Sequence, residues 1–226
     1  MNWSLPENVS TFGAQVDSIY YLILGITAVI FFAVEALLVY FIIRYRHKEG
    51  RKAAYIHGNT RAEVIWTLIP FLIVLFLAFR SRAVWMEVKD PGRVPPGALE
   101  LRVSAKQFEW NVTYPGLDEQ LGTADDFVRR GQLRIPVNRP VRVTLASEDV
   151  IHSFFLPEFR VKQDAVPGME IPVWFQATRT GEFTLGCAEL CGLGHYRMRG
   201  TVTVHTAEEF DAWQREQSQA GLAAAN

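Results

Sequence analysis

Cys187-Ala-Glu-Leu-Cys191-Gly-Leu-Gly-His195-Tyr-Arg-Met198 holds both cysteines of the chain, a histidine four residues after the second, and a methionine three residues beyond that. Two thiols, an imidazole and a thioether within twelve residues form a soft-ligand set, and such a set selects copper, zinc or an iron–sulfur cluster over hard cations. A small disulfide would also account for two cysteines this close. It has no use for Gly192 and Gly194, whereas a metal loop uses them to turn its side chains inward.

A loop of this kind needs a further ligand from elsewhere in the chain. Of the five histidines, His47 and His57 lie in a basic segment between two apolar runs, and His205 immediately precedes a helix start. His152 differs, because Asp149-Val-Ile-His-Ser-Phe-Phe-Leu-Pro157 is a strand-like apolar run that sets one imidazole against aromatic side chains. Alone it would read as a satisfied core histidine. With the 187–198 loop short of a partner, it reads as a ligand.

Around these residues the sequence alternates in short apolar stretches: Leu99 to Ala105, Phe108 to Tyr114, Leu133 to Val137, Val141 to Ala146, Val150 to Leu156, Ile171 to Ala177, Glu182 to Gly186 and Arg199 to Val204. Strands this frequent, separated by Gly, Pro and Asn, predict an all-β sandwich or barrel. Thr206-Ala-Glu-Glu209 is a capping-box signature, which predicts a helix over 208–219 with Phe210 and Trp213 on its inner face and a frayed tail from Ala220.

The first 82 residues have another character. From Ile19 to Ile43 only Glu35 is charged, and at about 1.5 Å per residue this run crosses a hydrocarbon core of about 30 Å. A signal peptide is the competing reading, but the run exceeds the usual apolar core of roughly 7 to 15 residues and no basic residue precedes it. A second span follows over 63–82, with Pro70 tolerated as it is in membrane helices and with Trp66 and Trp85 suited to the interfaces. Between the spans Arg44, Arg46, Lys48, Arg51, Lys52 and Arg61 face only Glu49, which places that loop in the cytoplasm and both flanks outside. The expected organisation is an outward N-terminal tail (1–16), a two-helix transmembrane hairpin (17–82), a Pro- and Gly-rich linker (83–98), the β domain (99–206) and a closing helix with its tail (207–226). Glu35, expensive in lipid, is expected to face a partner subunit or buried water, or else to be a tolerated defect.

His152 followed 35 residues later by Cys-x-Glu-x-Cys-x-x-x-His-x-x-Met resembles the binuclear CuA site of cytochrome c oxidase subunit II. The resemblance runs from about residue 17 to 215 and implies a cupredoxin fold for the β domain. It further implies that Cys187 and Cys191 bridge two copper ions, that His152 and His195 each cap one, and that Met198 and the backbone carbonyl of Glu189 are weak ligands. In the family the Glu189 side chain would reach a Mg²⁺ shared with subunit I. A mononuclear blue-copper site needs only one cysteine, and zinc on the same Cys2His2 set would leave Met198 idle.

Other stretches carry the same resemblance. His57 to Pro70 is similar to the start of the family's second helix, where the residue matching Glu63 sits at the mouth of a proton-uptake channel. Locally, Asn59 or Thr60 capping the helix and a carboxylate in its first turn account for the same residues. Ala105-Lys-Gln-Phe-Glu-Trp110 resembles the aromatic strand that takes electrons from cytochrome c, where many members have Gln-Trp-Tyr-Trp. Phe108 replaces the first tryptophan and Trp110 keeps the second, so either is a candidate gateway, and an aromatic core strand is the plain alternative. Lys162 and Asp164 match positions that meet the large subunit near its haem carboxylates, or else lie in a surface turn closed by Pro167 and Gly168.

The expected function is electron uptake for a proton-translocating terminal oxidase. Cytochrome c would donate, and the haem-copper subunit I and further subunits would receive the electrons and reduce O2. The location would be a bacterial inner membrane, with both termini and the copper domain on the periplasmic side. The first 82 residues carry a net +3 and the remainder −4, a weak attraction for a basic cytochrome, and an overall −1 gives no footprint for nucleic acid. Quinol-oxidising relatives lack these ligands, and forms fused to a cytochrome carry Cys-x-x-Cys-His, for which no cysteine is left. A copper sensor or chaperone needs no helix hairpin, and nitrous oxide reductase, which has a similar copper domain, also needs a large propeller.

Overall fold

The computed structural model describes residues 5–225, which divide into two compact units, one of residues 15–85 and the other of 5–14 with 86–225. The first is helical. Helix α1 spans Gly13–Tyr45 and α2 spans Thr60–Lys89, and both are long and apolar enough to cross a membrane. Their side chains are presented outward, as in Val29, Phe32 and Phe79, the arrangement expected when lipid rather than protein solvates a helix. The hydroxyl of Thr27 donates to the Ile23 carbonyl at 2.9 Å, so one polar group in α1 is satisfied within its own helix. Asn59 caps α2, its Oδ1 accepting from the Ala62 N–H at 3.1 Å, with Glu63 in the first turn. α2 runs on to Lys89 and a short 3-10 turn follows at Pro91–Arg93, so regular structure enters the stretch whose Pro and Gly content predicted a linker.

The second unit is built on two five-stranded sheets. One holds β1 (Leu99–Lys106), β2 (Glu109–Tyr114), β3 (Phe127–Arg130), β5 (Pro140–Ser147) and β8 (Ile171–Gln176), in the order β3-β2-β1-β5-β8. The other holds β4 (Gln132–Pro136), β6 (His152–Leu156), β7 (Val161–Ala165), β9 (Gly181–Cys187) and β10 (Arg199–His205), in the order β4-β10-β9-β6-β7. β1 pairs in parallel with β5 and β4 with β10; the other pairings are antiparallel. Alternate residues point inward. Leu99, Leu101, Val103, Val141, Val143 and Leu145 from the first sheet meet Leu133, Ile135, Phe154, Leu185 and Val202 from the second, all buried. This two-layer arrangement is the predicted sandwich.

β3 and β7 lie outside the eight predicted strands. Both are edge strands, and only Phe127 in β3 and Val161 and Ala165 in β7 are buried. Short, charged edges blunt unwanted pairing and lack the apolar alternation that marks a strand. Lys162 and Asp164 therefore stand in a strand rather than a turn, two residues apart and both exposed.

α3 (Ala207–Ala225) closes the unit. The capping box forms as predicted, with the Thr206 N–H donating to Glu209 Oε2 at 3.0 Å and the Glu209 N–H donating to Thr206 Oγ1 at 3.3 Å. Hydrogen bonds to the Glu209 carboxyl from the Thr206 N–H, and then from the Thr206 side chain, hold it below its ordinary value. Phe210 and Trp213 turn inward, and Trp213 meets Tyr114 edge-on at 5.0 Å.

Segment 5–14 belongs to this β unit. The Val9 N–H donates to the Glu158 carbonyl and the Thr178 N–H to the Val9 carbonyl, both at 2.9 Å, and Ser10 bridges to Ala177. Val9, Ser10 and Phe12 are buried, with Phe12 edge-on to Trp174 at 5.5 Å. Within the stretch expected as an outward N-terminal tail, residues 5–14 thus form a docked segment.

Candidate metal centre

β9 and β10 are antiparallel neighbours, and residues 188–198 connect them. Strand pairing therefore brings the two ends of the loop together, with the Cys187 N–H donating to the Met198 carbonyl at 3.2 Å. A 3-10 turn at His195–Arg197 folds the histidine back, and the Ala188 N–H donates to the Ser153 carbonyl at 3.0 Å, tying the loop to β6. His152 opens β6. It is wholly buried, with Trp110 edge-on to its ring at 6.1 Å.

The donor atoms of His152, Cys187 and Cys191 lie within 4.8 Å of one another. The two sulfurs are 3.9 Å apart, far beyond the roughly 2.05 Å of a disulfide, and both cysteines are free. His152 Nδ1 stands 3.1 Å from Met198 Sδ and 4.0 Å from Cys187 Sγ. On the other side His195 Nδ1 is 3.7 Å from Cys191 Sγ, and Met198 Sδ is 3.7 Å from the same sulfur. The Glu189 carbonyl oxygen faces Cys187 Sγ at 3.2 Å. Loop and strand together gather five side chains and one carbonyl, with one imidazole beside each sulfur.

This donor set fits a soft metal. Burial, and then the nearness of Cys187, push the Cys191 thiol up to about 11, so two thiolates side by side need a cation between them. Metal binding supplies that charge and releases the protons. Thiolate, imidazole and thioether ligands together favour copper over hard ions.

Gly192 and Gly194 have a more specific role than loosening the loop. A Cβ on Gly194 would lie 2.4 Å from Phe108 Cδ2, and one on Gly192, whose φ is +134°, would lie 2.6 Å from Gln107 Nε2. The glycines admit the 107–108 turn against the metal loop. Phe108 is half-buried there, whereas Trp110 has no exposed surface and its indole N–H finds no partner among the described residues. Of the two candidate aromatics, only Phe108 meets solvent.

Two residues given no role in the sequence reading touch the site. Asp149 Oδ1 lies 2.8 Å from His152 Nε2, and Gln107 Nε2 donates to the Cys191 carbonyl at 2.5 Å. Burial raises the Asp149 carboxyl, but hydrogen bonds from His152, Gln107 and Val150 outweigh it and hold the group below its ordinary value. An aspartate three residues before a candidate ligand histidine was the available signal. Glu63 is on α2 and Lys162 and Asp164 are on β7, outside this cluster, and the exposed Glu189 is represented in it only by its carbonyl.

Two profiles of one family match the chain: cytochrome c oxidase subunit II, transmembrane domain, over residues 1–84, and cytochrome c oxidase subunit II, periplasmic domain, over residues 105–205. An alternative cytochrome c oxidase subunit 2 of Bradyrhizobium diazoefficiens is 34% identical, covering 99% of this chain and 87% of its own length. The chain belongs to the cytochrome c oxidase subunit II family. Another subunit 2, from Thermostichus vulcanus, is 32% identical over 94% of the chain and 78% of its own length. The crystal structure of the periplasmic domain of subunit II of the Bradyrhizobium japonicum cytochrome oxidase aligns with a TM-score of 0.50 at 32% identity, covering 56% of this chain and 98% of that one. For a subunit II chain, the two apolar helices and the cupredoxin-like sandwich are the expected parts, and His152, Cys187 and Cys191 form a cluster that could hold a metal ion.

Proposed function

We propose that this chain is the electron-accepting subunit of a cytochrome c oxidase, with a binuclear copper centre held by Cys187, Cys191, His152 and His195 and completed by Met198 and the Glu189 carbonyl. Copper, when bound, supplies one-electron redox chemistry. The observation that carries the reading is the convergence of two unbonded sulfurs with an imidazole nitrogen next to each, at 4.0 Å and 3.7 Å. The thiols give up their protons on loading, and the rigid sandwich below the loop limits how far any ligand moves when charge changes. Phe108, half-exposed against Gly192 and Gly194, is the surface aromatic through which a cytochrome c donor couples to the site. Subunit I and further oxidase subunits take the electrons onward and reduce O2.

The remaining roles follow the family. Glu63 guards a proton-channel mouth, the Glu189 side chain contributes to a shared Mg²⁺ site, and Lys162 with Asp164 meets subunit I. A bacterial inner membrane, with the β unit on the periplasmic side, suits the basic segment between the helices. Segment 5–14 and the β unit form one compact body, and the chain leaves it at Ala14 and returns at Met86. An even number of crossings satisfies that connection, and two spans provide it.

Copper content and the electron paramagnetic resonance spectrum of the full chain, purified in detergent and loaded with copper, test the proposal. Two coppers per chain with a seven-line hyperfine pattern are expected. One copper with four lines, or zinc held in preference, would overturn it.

A further inference from the structure

His152 is wholly buried and has two faces. Its Nδ1 looks toward Met198 Sδ and Cys187 Sγ, and its Nε2 lies 2.8 Å from Asp149 Oδ1. An ionised carboxylate only accepts hydrogen bonds, so this contact places the ring proton on Nε2 and leaves the Nδ1 lone pair facing the sulfurs. Asp149 also accepts from the Val150 N–H at 2.6 Å on the same oxygen and from the Gln107 N–H at 2.7 Å on the other. Gln107 in turn donates through its side chain to the Cys191 carbonyl at 2.5 Å. One carboxylate thus joins the β6 ligand to the turn between β1 and β2, and that turn holds the backbone of the loop cysteine.

We propose that Asp149 is a positioning residue for the metal centre: it fixes the tautomer and orientation of His152 and, through Gln107, the placement of Cys191. The inference rests on the metal-site reading above, although it does not depend on the number of metals bound. Outer carboxylates that hold a ligand imidazole orient it and raise its basicity, and their loss typically lowers metal affinity by about 10–100-fold. Asp149 keeps about a third of its side-chain surface exposed, so solvent screens its charge and the directional hydrogen bond supplies most of the effect.

The test uses the full-length chain in detergent, loaded with copper, and compares wild type with Asp149→Ala and Asp149→Asn. Copper retention is titrated against a copper(I) chelator, and imidazole nitrogen couplings are read by pulsed electron paramagnetic resonance. Asp149→Ala should release copper at about 10–100-fold less chelator and alter one of the two histidine nitrogen couplings. Asp149→Asn keeps an amide oxygen able to accept from Nε2 but turns an NH2 toward the Gln107 N–H, so it should recover the His152 coupling and only part of the retention. A purely structural role would lower the melting temperature of both variants while leaving the nitrogen couplings of the copper-loaded fraction as in wild type. That pattern, or unchanged retention in Asp149→Ala, overturns the assignment. A four-line signal in the wild type would sink the binuclear reading alone, since chelator titration and nitrogen couplings report on Asp149 whatever the nuclearity.

Discussion

The 187–198 loop and the 5–14 segment are both irregular stretches attached to the same sandwich, yet they serve it in opposite ways. The loop gathers reactive atoms and leaves large apolar side chains in water, with Leu193 98% exposed and Tyr196 78%. The segment adds no donor atom to that cluster and buries three side chains in the sandwich, with Val9 1%, Phe12 2% and Ser10 3% exposed. The proposed metal chemistry and the docking thus fall on different stretches, and substitutions in one should leave the other's property largely intact.

The largest expected effect is in the loop. Cys191→Ser removes a sulfur that faces Cys187, His195 and Met198, and a serine hydroxyl is a poor ligand for a soft metal. Copper content and the seven-line signal should be lost, while the unfolding midpoint of the metal-free chain should stay close to wild type. A large fall in that midpoint would break the division between the two regions.

Phe12→Ala is the converse. It deletes a buried ring edge-on to Trp174, a change that removes about 3–5 kcal/mol at well-packed sites. Thermal unfolding of the metal-free chain should reveal it, and the copper signal of molecules that remain folded should match wild type. A β-unit fragment lacking segment 5–14 should show the same weakening. Unchanged stability would mean that the docked segment only covers the sandwich.

These two regions also show what a sequence makes legible. Cysteine, histidine and methionine are rare, and their spacing survives folding because β9 and β10 bring the two ends of one short loop together; the gathering of these donor atoms could therefore be read in advance. His152 was reachable because it stands alone in an apolar strand. Segment 5–14 was not, since Val9, Ser10 and Phe12 have neither helical nor strand periodicity and their partners, Glu158, Phe159 and Trp174, lie far along the chain. The edge strands β3 and β7 escaped because each buries only one or two residues. Gln107 escaped because its role depends on a contact between distant stretches of the chain, whereas Asp149 stands three residues before His152 and that spacing was passed over.

Gly194→Ala tests where the loop meets the 107–108 turn. The new methyl would collide with the Phe108 ring, and overpacking of this kind destabilises by about 1–3 kcal/mol. The ring is the softer neighbour, so it should swing outward. Copper should be retained, and oxidation of a cytochrome c donor should slow. A normal donor rate with a displaced Phe108 would remove that ring from the proposed electron path.

The smallest effect should come from Glu7, which makes a two-pronged pair with Arg179, the second contact at 2.7 Å between Nη2 and Oε2. The geometry is favourable, but both side chains are more than half exposed, and exposed pairs contribute roughly 0–1 kcal/mol. The backbone hydrogen bonds of Val9 and the burial of Phe12 hold the segment without it. Glu7→Gln should therefore shift the midpoint by less than Phe12→Ala, and the difference from wild type should shrink as salt is raised above about 0.15 M. A salt-insensitive loss as large as that of Phe12→Ala would mean that charge, rather than buried apolar surface, docks the segment, and the contrast between the two regions would then lie in how each is held as well as in what each does.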